Sequence, residues 1–234
     1  MPHITLGPHH MPIPRIILVG ADKGGVGKTT VARVLIDRAV QLGPPPRVVD
    51  TETTPGVLKR FYPNAEVLDV RTVAGQMAAL DKPAPLTIVD IRAGLLLVVL
   101  RALRDAGLLA DAARGEIKFV IAHVVGPTYA SYSELAAARE ITNGAGSTGV
   151  LHVVIKNYVS EGQVFEWIEP TASTVLVPHL DDIAATAMDA ENVMPETFAA
   201  DLNKSRILRG NVRHWLDQIY PEVKRVGLEA ELAA

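Results

Sequence analysis

The stretch Lys23-Gly24-Gly25-Val26-Gly27-Lys28-Thr29-Thr30 gathers residue types that can grip a phosphate. Gly24, Gly25 and Gly27 place no side chain between the backbone N–H groups and an approaching oxyanion. Val26 and Thr30 contribute backbone to the same cradle. Lys28 is long enough to reach the β- and γ-phosphates of a nucleotide, and the Thr29 hydroxyl is of the type that ligates Mg²⁺. The strict pattern G-x-x-x-x-G-K-[ST] is not met, because Asp22 stands at its first glycine. What matches is the variant K-G-G-x-G-K-[ST], with a second lysine, Lys23, at its start. The competing reading is a glycine-rich turn that binds nothing.

The flanking elements decide between them. Residues 15–20, Arg-Ile-Ile-Leu-Val-Gly, form an unbroken apolar run suited to a strand buried on both faces. Val31, Val34, Leu35 and Leu42 recur at helical spacing after the loop, up to the stop at Gly43-Pro44-Pro45-Pro46. Strand, glycine-rich turn and helix is the setting in which backbone N–H groups and a helix N-terminus converge on an anion.

On these residues the chain resembles the deviant Walker A ATPases, the ParA and MinD partitioning and positioning proteins, with nitrogenase iron protein and the arsenite pump ATPase as relatives. The resemblance covers residues 15 to 56, then 86 to 94, and continues as a pattern of elements to about residue 190. It implies ATP/ADP and Mg²⁺ as cofactors, and a homodimer sandwiching two nucleotides. In that dimer Lys23 reaches across to the partner's phosphates, and Lys28 holds phosphate in its own subunit. It also implies an unidentified partner protein.

The rest of the chain reads as strands alternating with helices: strands at 47–50, 66–70, 86–90, 117–125, 150–155 and 174–177. The helices expected are 31–42, one after residue 57, one from about Thr72 to Lys82-Pro83, one to about Ala106, one from Ser131 to about Thr142 capped by Ser131 or Ser133, and most of the chain after Asp181. That alternation predicts a mostly parallel α/β sheet with helices on both faces, in one domain over residues 15–234, behind a flexible extension at 1–14. Residues 143–149 read as a loop. Ligands of such sheets bind beyond the carboxyl ends of the strands, where Asp50, Asp90, Pro127, Asn157 and Pro178 fall.

Several of these strand ends carry candidate chemistry. Asp50 and Glu52 form Asp-Thr-Glu; the resembled family has Asp-x-Asp there, its second acid orienting the attacking water. Glu52 keeps the carboxylate one methylene further out, so hydrolysis is expected to be slow. The bland reading of both acids is turn or cap residues. Only Pro55 and Gly56 correspond to the family's Pro-Gln-Gly segment. Asp90 closes an apolar strand and would hold Mg²⁺ through water. The family continues Asp-Thr-Pro-Ala-Gly; here the residues are Asp90-Ile91-Arg92-Ala93-Gly94. Gly94 can still serve as the hinge that senses the γ-phosphate, while Arg92, in place of proline, touches phosphate, a partner subunit or solvent. Asn157 resembles the family's base-contacting asparagine, and Val177-Pro178-His179 the segment lining the adenine. His123, inside an apolar strand, reads as a core histidine.

The helical stretch 198–219 carries an apolar stripe of Leu208, Val212, Trp215 and Ile219. Lys204, Arg206, Arg209 and Arg213 lie on another face, either a solvated surface or a site for DNA without sequence preference. The tail after Pro221 makes a poor membrane-targeting helix.

Composition bounds the function classes. A chain of 234 residues with 48% hydrophobic content can bury a substantial core. With no cysteine, disulfides, thiolate metal sites and an iron–sulfur cluster are excluded. The net charge of −3 argues against a wholly basic nucleic-acid surface. No apolar run is long enough to span a bilayer, no secretory signal is visible, and the expected compartment is the cytoplasm. Within those bounds the resemblance implies an ATP-dependent dimerisation switch that partitions or positions DNA or a protein complex. The rivals are an ATP-dependent small-molecule ligase or kinase on the same fold, such as a dethiobiotin-synthetase-like enzyme, and a module that holds ATP with little hydrolysis.

Overall fold

The computed structural model describes residues 13–53, 56–82, 84–143 and 149–233. The expected N-terminal extension lies almost wholly outside these, as do Pro55, Pro83 and most of the expected loop at 143–149.

Among the described residues seven strands, numbered along the chain, form one parallel sheet in the order β3-β2-β4-β1-β5-β6-β7. They are β1 (Arg15–Gly20), β2 (Arg47–Asp50), β3 (Glu66–Val67), β4 (Leu86–Asp90), β5 (Lys118–Val125), β6 (Val150–Asn157) and β7 (Thr174–Val177). The helices are α1 (Lys28–Leu42), α2 (Val73–Leu80), α3 (Leu96–Asp105), α4 (Leu108–Ala113), α5 (Tyr129–Asn143), α6 (Asp182–Ala190), α7 (Pro195–Ala200), α8 (Arg206–Arg225) and α9 (Leu228–Leu232).

The apolar runs of the central strands are unbroken because alternate side chains enter two different cores. Ile17 and Val19 of β1 pack with Val34, Leu35, Trp215 and Ile219 under α1 and α8. Ile16 and Leu18 pack with Leu96, Leu100 and Leu103 of α3 and Ile141 of α5 on the opposite face. The α8 stripe is as the spacing requires, with Val212, Trp215 and Ile219 buried and Leu208 partly so.

Several boundaries differ from the sequence expectation. Only a short 3₁₀ turn, Leu58–Arg60, forms after residue 57, since Pro63 cannot continue a helix. β3 stops at Val67 because its pairing with β2 ends with Asp50↔Val67. β6 runs two residues further than expected, to Asn157, which pairs with Val177. Neither Ser131 nor Ser133 caps α5, which begins at Tyr129. The Ser131 hydroxyl instead accepts the Gly126 N–H at 3.1 Å, fastening the helix to the end of β5. The stretch 198–219 is divided between α7 and α8. The tail folds back as α9, burying Leu228 and Leu232 against the core, while Lys118 and Arg15 engage Glu231.

At the outer edge of the sheet, Arg225 donates to the carbonyls of Ala172 and Thr174, so α8 occupies acceptors that β7 would offer to another strand. Among the described residues no helix is long and apolar enough to cross a membrane.

Candidate phosphate and metal site

The carboxyl ends of β1, β2, β4 and β6 converge on one place, and their pairing sets the order. Val19 and Asp50 both pair with Asp90, so β4 stands between the phosphate loop and the Asp50–Glu52 turn.

The loop leaves β1 with Gly24 and Gly25 exposed and Val26 buried as its anchor. Gly27 is the N-cap of α1 with φ at 84°, and a Cβ there would fall 2.0 Å from the Asn157 amide nitrogen. Only glycine fits. The Asn157 Nδ2 donates to the Val26 carbonyl at 2.9 Å and is buried. The residue expected to touch a base ties β6 to the phosphate loop. Lys28 Nζ donates to the Lys23 carbonyl at 3.3 Å, and burial holds its pKa below the usual lysine range. The stem of Lys23 lies along Gly126, whose added Cβ would stand 3.6 Å from Lys23 Cδ.

Thr29 and Asp90, 61 residues apart in sequence, meet: the Thr29 hydroxyl donates to Asp90 Oδ2 at 2.7 Å. Burial pushes the Asp90 carboxyl up to about 7, opposed by this hydrogen bond and by Lys28. A buried carboxylate beside a hydroxyl is a pair of hard oxygen donors that a divalent cation would satisfy. The donor set fits Mg²⁺.

Asp50 is buried at the end of β2 and accepts two backbone N–H groups. Its Oδ1 accepts the Glu52 N–H at 2.9 Å and its Oδ2 accepts the Lys59 N–H at 3.0 Å, so both oxygens brace the turn beyond β2. Glu52 is half-exposed and forms an ion pair with Arg92, Oε1 to Nε 3.2 Å. Arg92 is thus engaged within its own chain. Gly94 has φ at 82°, the left-handed conformation suited to a glycine hinge.

A cleft of about 490 Å³ opens beside α1, lined by Thr30, Arg33, Asn157, Pro178, His179 and Trp215 among others. The Pro178 carbonyl accepts the Trp215 indole N–H at 2.7 Å, which fixes the lip of the cleft to α8. Arg33 forms part of its wall, with its guanidinium over the Phe61 ring at 3.7 Å and bonded to the Val193 carbonyl.

Sequence reasoning did not find a polar chain behind the loop. The Asp22 N–H donates to Glu134 Oε1 at 2.8 Å. That same oxygen lies 2.9 Å from His123 Nε2, an ion-pair separation without hydrogen-bond alignment, and His123 stacks on His152. Burial, reinforced by the Glu134 charge, raises the Asp22 pKa. The signal available was Asp22 itself, an acid where the strict motif has glycine.

The basic set near α8 is partly spent. Lys204 pairs with Glu191 at 2.5 Å and Asp201 at 3.8 Å, and Arg213 donates to the Ala199 carbonyl. Arg206 remains exposed, and Arg209 is partly buried.

No protein-family model matches the sequence, and no curated protein does. Solved structures do match. The septum site-determining protein MinD of Pyrococcus horikoshii, complexed with Mg-ADP, aligns with a TM-score of 0.51 at 16% identity, over 92% of this chain and 98% of its own. A nucleotide-binding protein in complex with ADP from Archaeoglobus fulgidus aligns with a TM-score of 0.46 at 17% identity, over 76% of this chain and 87% of its own. The chain is structurally similar to MinD at low sequence identity, and its parallel α/β sheet has the MinD P-loop architecture.

Proposed function

We propose that this chain is a nucleotide switch of the ParA/MinD kind, which binds ATP with Mg²⁺ at residues 24–30, dimerises around it and hydrolyses it slowly. The observation that carries the proposal is the Thr29–Asp90 contact of 2.7 Å at the start of α1, beside the exposed glycines of the loop.

Each residue has a defined task in this reading. The N–H groups of residues 24–29 and the Lys28 ammonium take phosphate oxygens. Thr29 would ligate Mg²⁺ and Asp90 would hold it through water; when bound, the ion neutralises phosphate charge. Asp50 braces the turn that presents Glu52, and Glu52 orients water. Lys23, exposed at the loop's edge, acts on the second copy's nucleotide. The cleft under Asn157, Pro178 and His179 takes the base. Arg206, with Arg209, is the part of the basic set left for DNA, and a partner protein would couple the cycle to a cargo. The likeness to MinD supports the nucleotide-binding fold; the switch itself rests on Lys23 and the site residues.

The test is solution mass with ADP, and with ATP plus Mg²⁺, on wild type and Lys23→Ala, alongside phosphate release. The expected result is a dimer with ATP that requires Lys23. Mass unchanged by nucleotide, with ATP still bound, would reject the switch. Bound ATP without phosphate release under any condition would leave a module that holds ATP.

A further inference from the structure

Two departures from the resembled family stand side by side. Where the family has Asp-x-Asp and Asp-Thr-Pro-Ala-Gly, this chain has Asp50-Thr51-Glu52 and Asp90-Ile91-Arg92-Ala93-Gly94. β2 and β4 are parallel with Asp50 opposite Asp90, so the residues two beyond each, Glu52 and Arg92, leave the sheet as lateral neighbours. Their side chains meet, Nε to Oε1, at 3.2 Å.

The backbone beneath them is laced together. The Thr51 N–H donates to the Asp90 carbonyl at 3.0 Å, and the Thr51 hydroxyl donates to that same carbonyl at 3.1 Å. The hydroxyl oxygen also accepts the Arg92 N–H at 2.7 Å. The Glu52 N–H is held by Asp50 at 2.9 Å. Both bases of the pair are therefore fixed, and only the two side chains retain freedom. A glutamate carries one more rotatable bond than an aspartate, and that freedom scatters its carboxylate. A guanidinium on the adjacent strand end restrains it.

We propose that Arg92 is a positioning residue for Glu52: the longer acid and the arginine are mutual compensations, and the ion pair sets where the Glu52 carboxylate stands relative to the phosphate site. This rests on the ATPase reading above. The pair is half-exposed on both sides, with side-chain exposures of 42% and 32%, so its contribution to folding is small and its contribution to geometry is what distinguishes it.

The experiment compares Arg92→Ala in the wild-type background with Arg92→Ala in a Glu52→Asp background, reading kcat and KM for Mg²⁺·ATP and the affinity for ADP. With Glu52 present, Arg92→Ala lowers kcat by about 10-fold, the scale of a misplacement well under 1 Å, with KM and ADP affinity within about 2-fold. With Asp at position 52, the same substitution costs less than about 2-fold, because the shorter acid needs no restraint. Arg92→Lys in the wild-type background recovers part of the loss. An equal loss in both backgrounds, or a loss confined to KM, overturns the positioning role and makes Arg92 an independent phosphate contact. A wild-type protein that binds ADP yet releases no phosphate overturns the hydrolysis reading itself, and the role of Arg92 falls with it.

Discussion

The amide nitrogen of Asn157 donates to the carbonyl of Val26 across 131 residues of sequence, at 2.9 Å and away from solvent. The bond joins the end of β6 to the middle of the phosphate loop. Replacing Asn157 with Leu orphans a buried carbonyl, a cost of about 1–3 kcal/mol. If that cost falls on the bound conformation of the loop, affinity for inorganic tripolyphosphate drops about 10-fold along with affinity for ADP. Calorimetric titration with both ligands checks this. Loss of ADP affinity with tripolyphosphate binding unchanged would make Asn157 a base contact alone.

The Thr29–Asp90 pair predicts a metal dependence. Asp90→Asn removes the charge that would hold the ion through water, and Thr29→Ala removes the hydroxyl. Each substitution is expected to lower the Mg²⁺-dependent part of nucleotide affinity by about 10- to 100-fold, the range for metal-site partners of this kind. Binding with excess EDTA should be nearly the same in wild type and variants. An equal loss with and without Mg²⁺ would assign both residues to loop folding.

What was legible in the sequence was local. The phosphate loop is contiguous, its glycines and lysine are set by backbone geometry, and the strand ahead of it is apolar because both faces are covered. Asp90 was legible for the same reason, as an acid ending such a strand. Contacts between strand ends were not. The Glu52–Arg92 pair needs the register of β2 on β4, although the matching Asp-x-Glu and Asp-x-Arg spacings could have suggested it once those strands were placed side by side. The Asp22–Glu134 bond spans 112 residues and follows from the packing of α5, which no pattern near residue 22 reports. Helix α4 escaped because six residues after Gly107 are too few to show a helical period. The position of Asp50 at a strand end was legible, but not its contacts: its oxygens accept the N–H groups of Glu52 and of Lys59 in the 3₁₀ turn nine residues on.

Glu134 is expected to hold the Lys23 end of the loop. Glu134→Ala leaves the Asp22 N–H without its acceptor, at a cost of about 1–3 kcal/mol in stability. Glu134→Gln keeps an acceptor for that N–H and removes the like charge that helps raise the Asp22 pKa, so it should cost less. Denaturant unfolding of the two variants orders them. A glutamine variant as unstable as the alanine one would make the His123 contact, and not the Asp22 bond, the important partner of Glu134.

Asp37 predicts how stability changes with pH. It is buried in α1, its Oδ2 accepts the Glu196 N–H at 2.9 Å in the first turn of α7, and burial raises its pKa to about 7 from an ordinary 3.8. Between those two values the folded chain holds a proton that the unfolded chain has released. The Asp37 contribution to stability therefore falls as pH rises from about 4 to about 7 and levels off above it. Asp37→Asn keeps an oxygen for the Glu196 N–H and removes the buried charge. The variant should be more stable than wild type at pH 8, by on the order of a few kcal/mol, with the gap closing towards pH 4. Thermal or urea unfolding of both proteins across that range measures it. A gap that is constant with pH would mean that the Asp37 carboxylate is ionised in the folded chain, with the Arg33 charge beside it offsetting its burial.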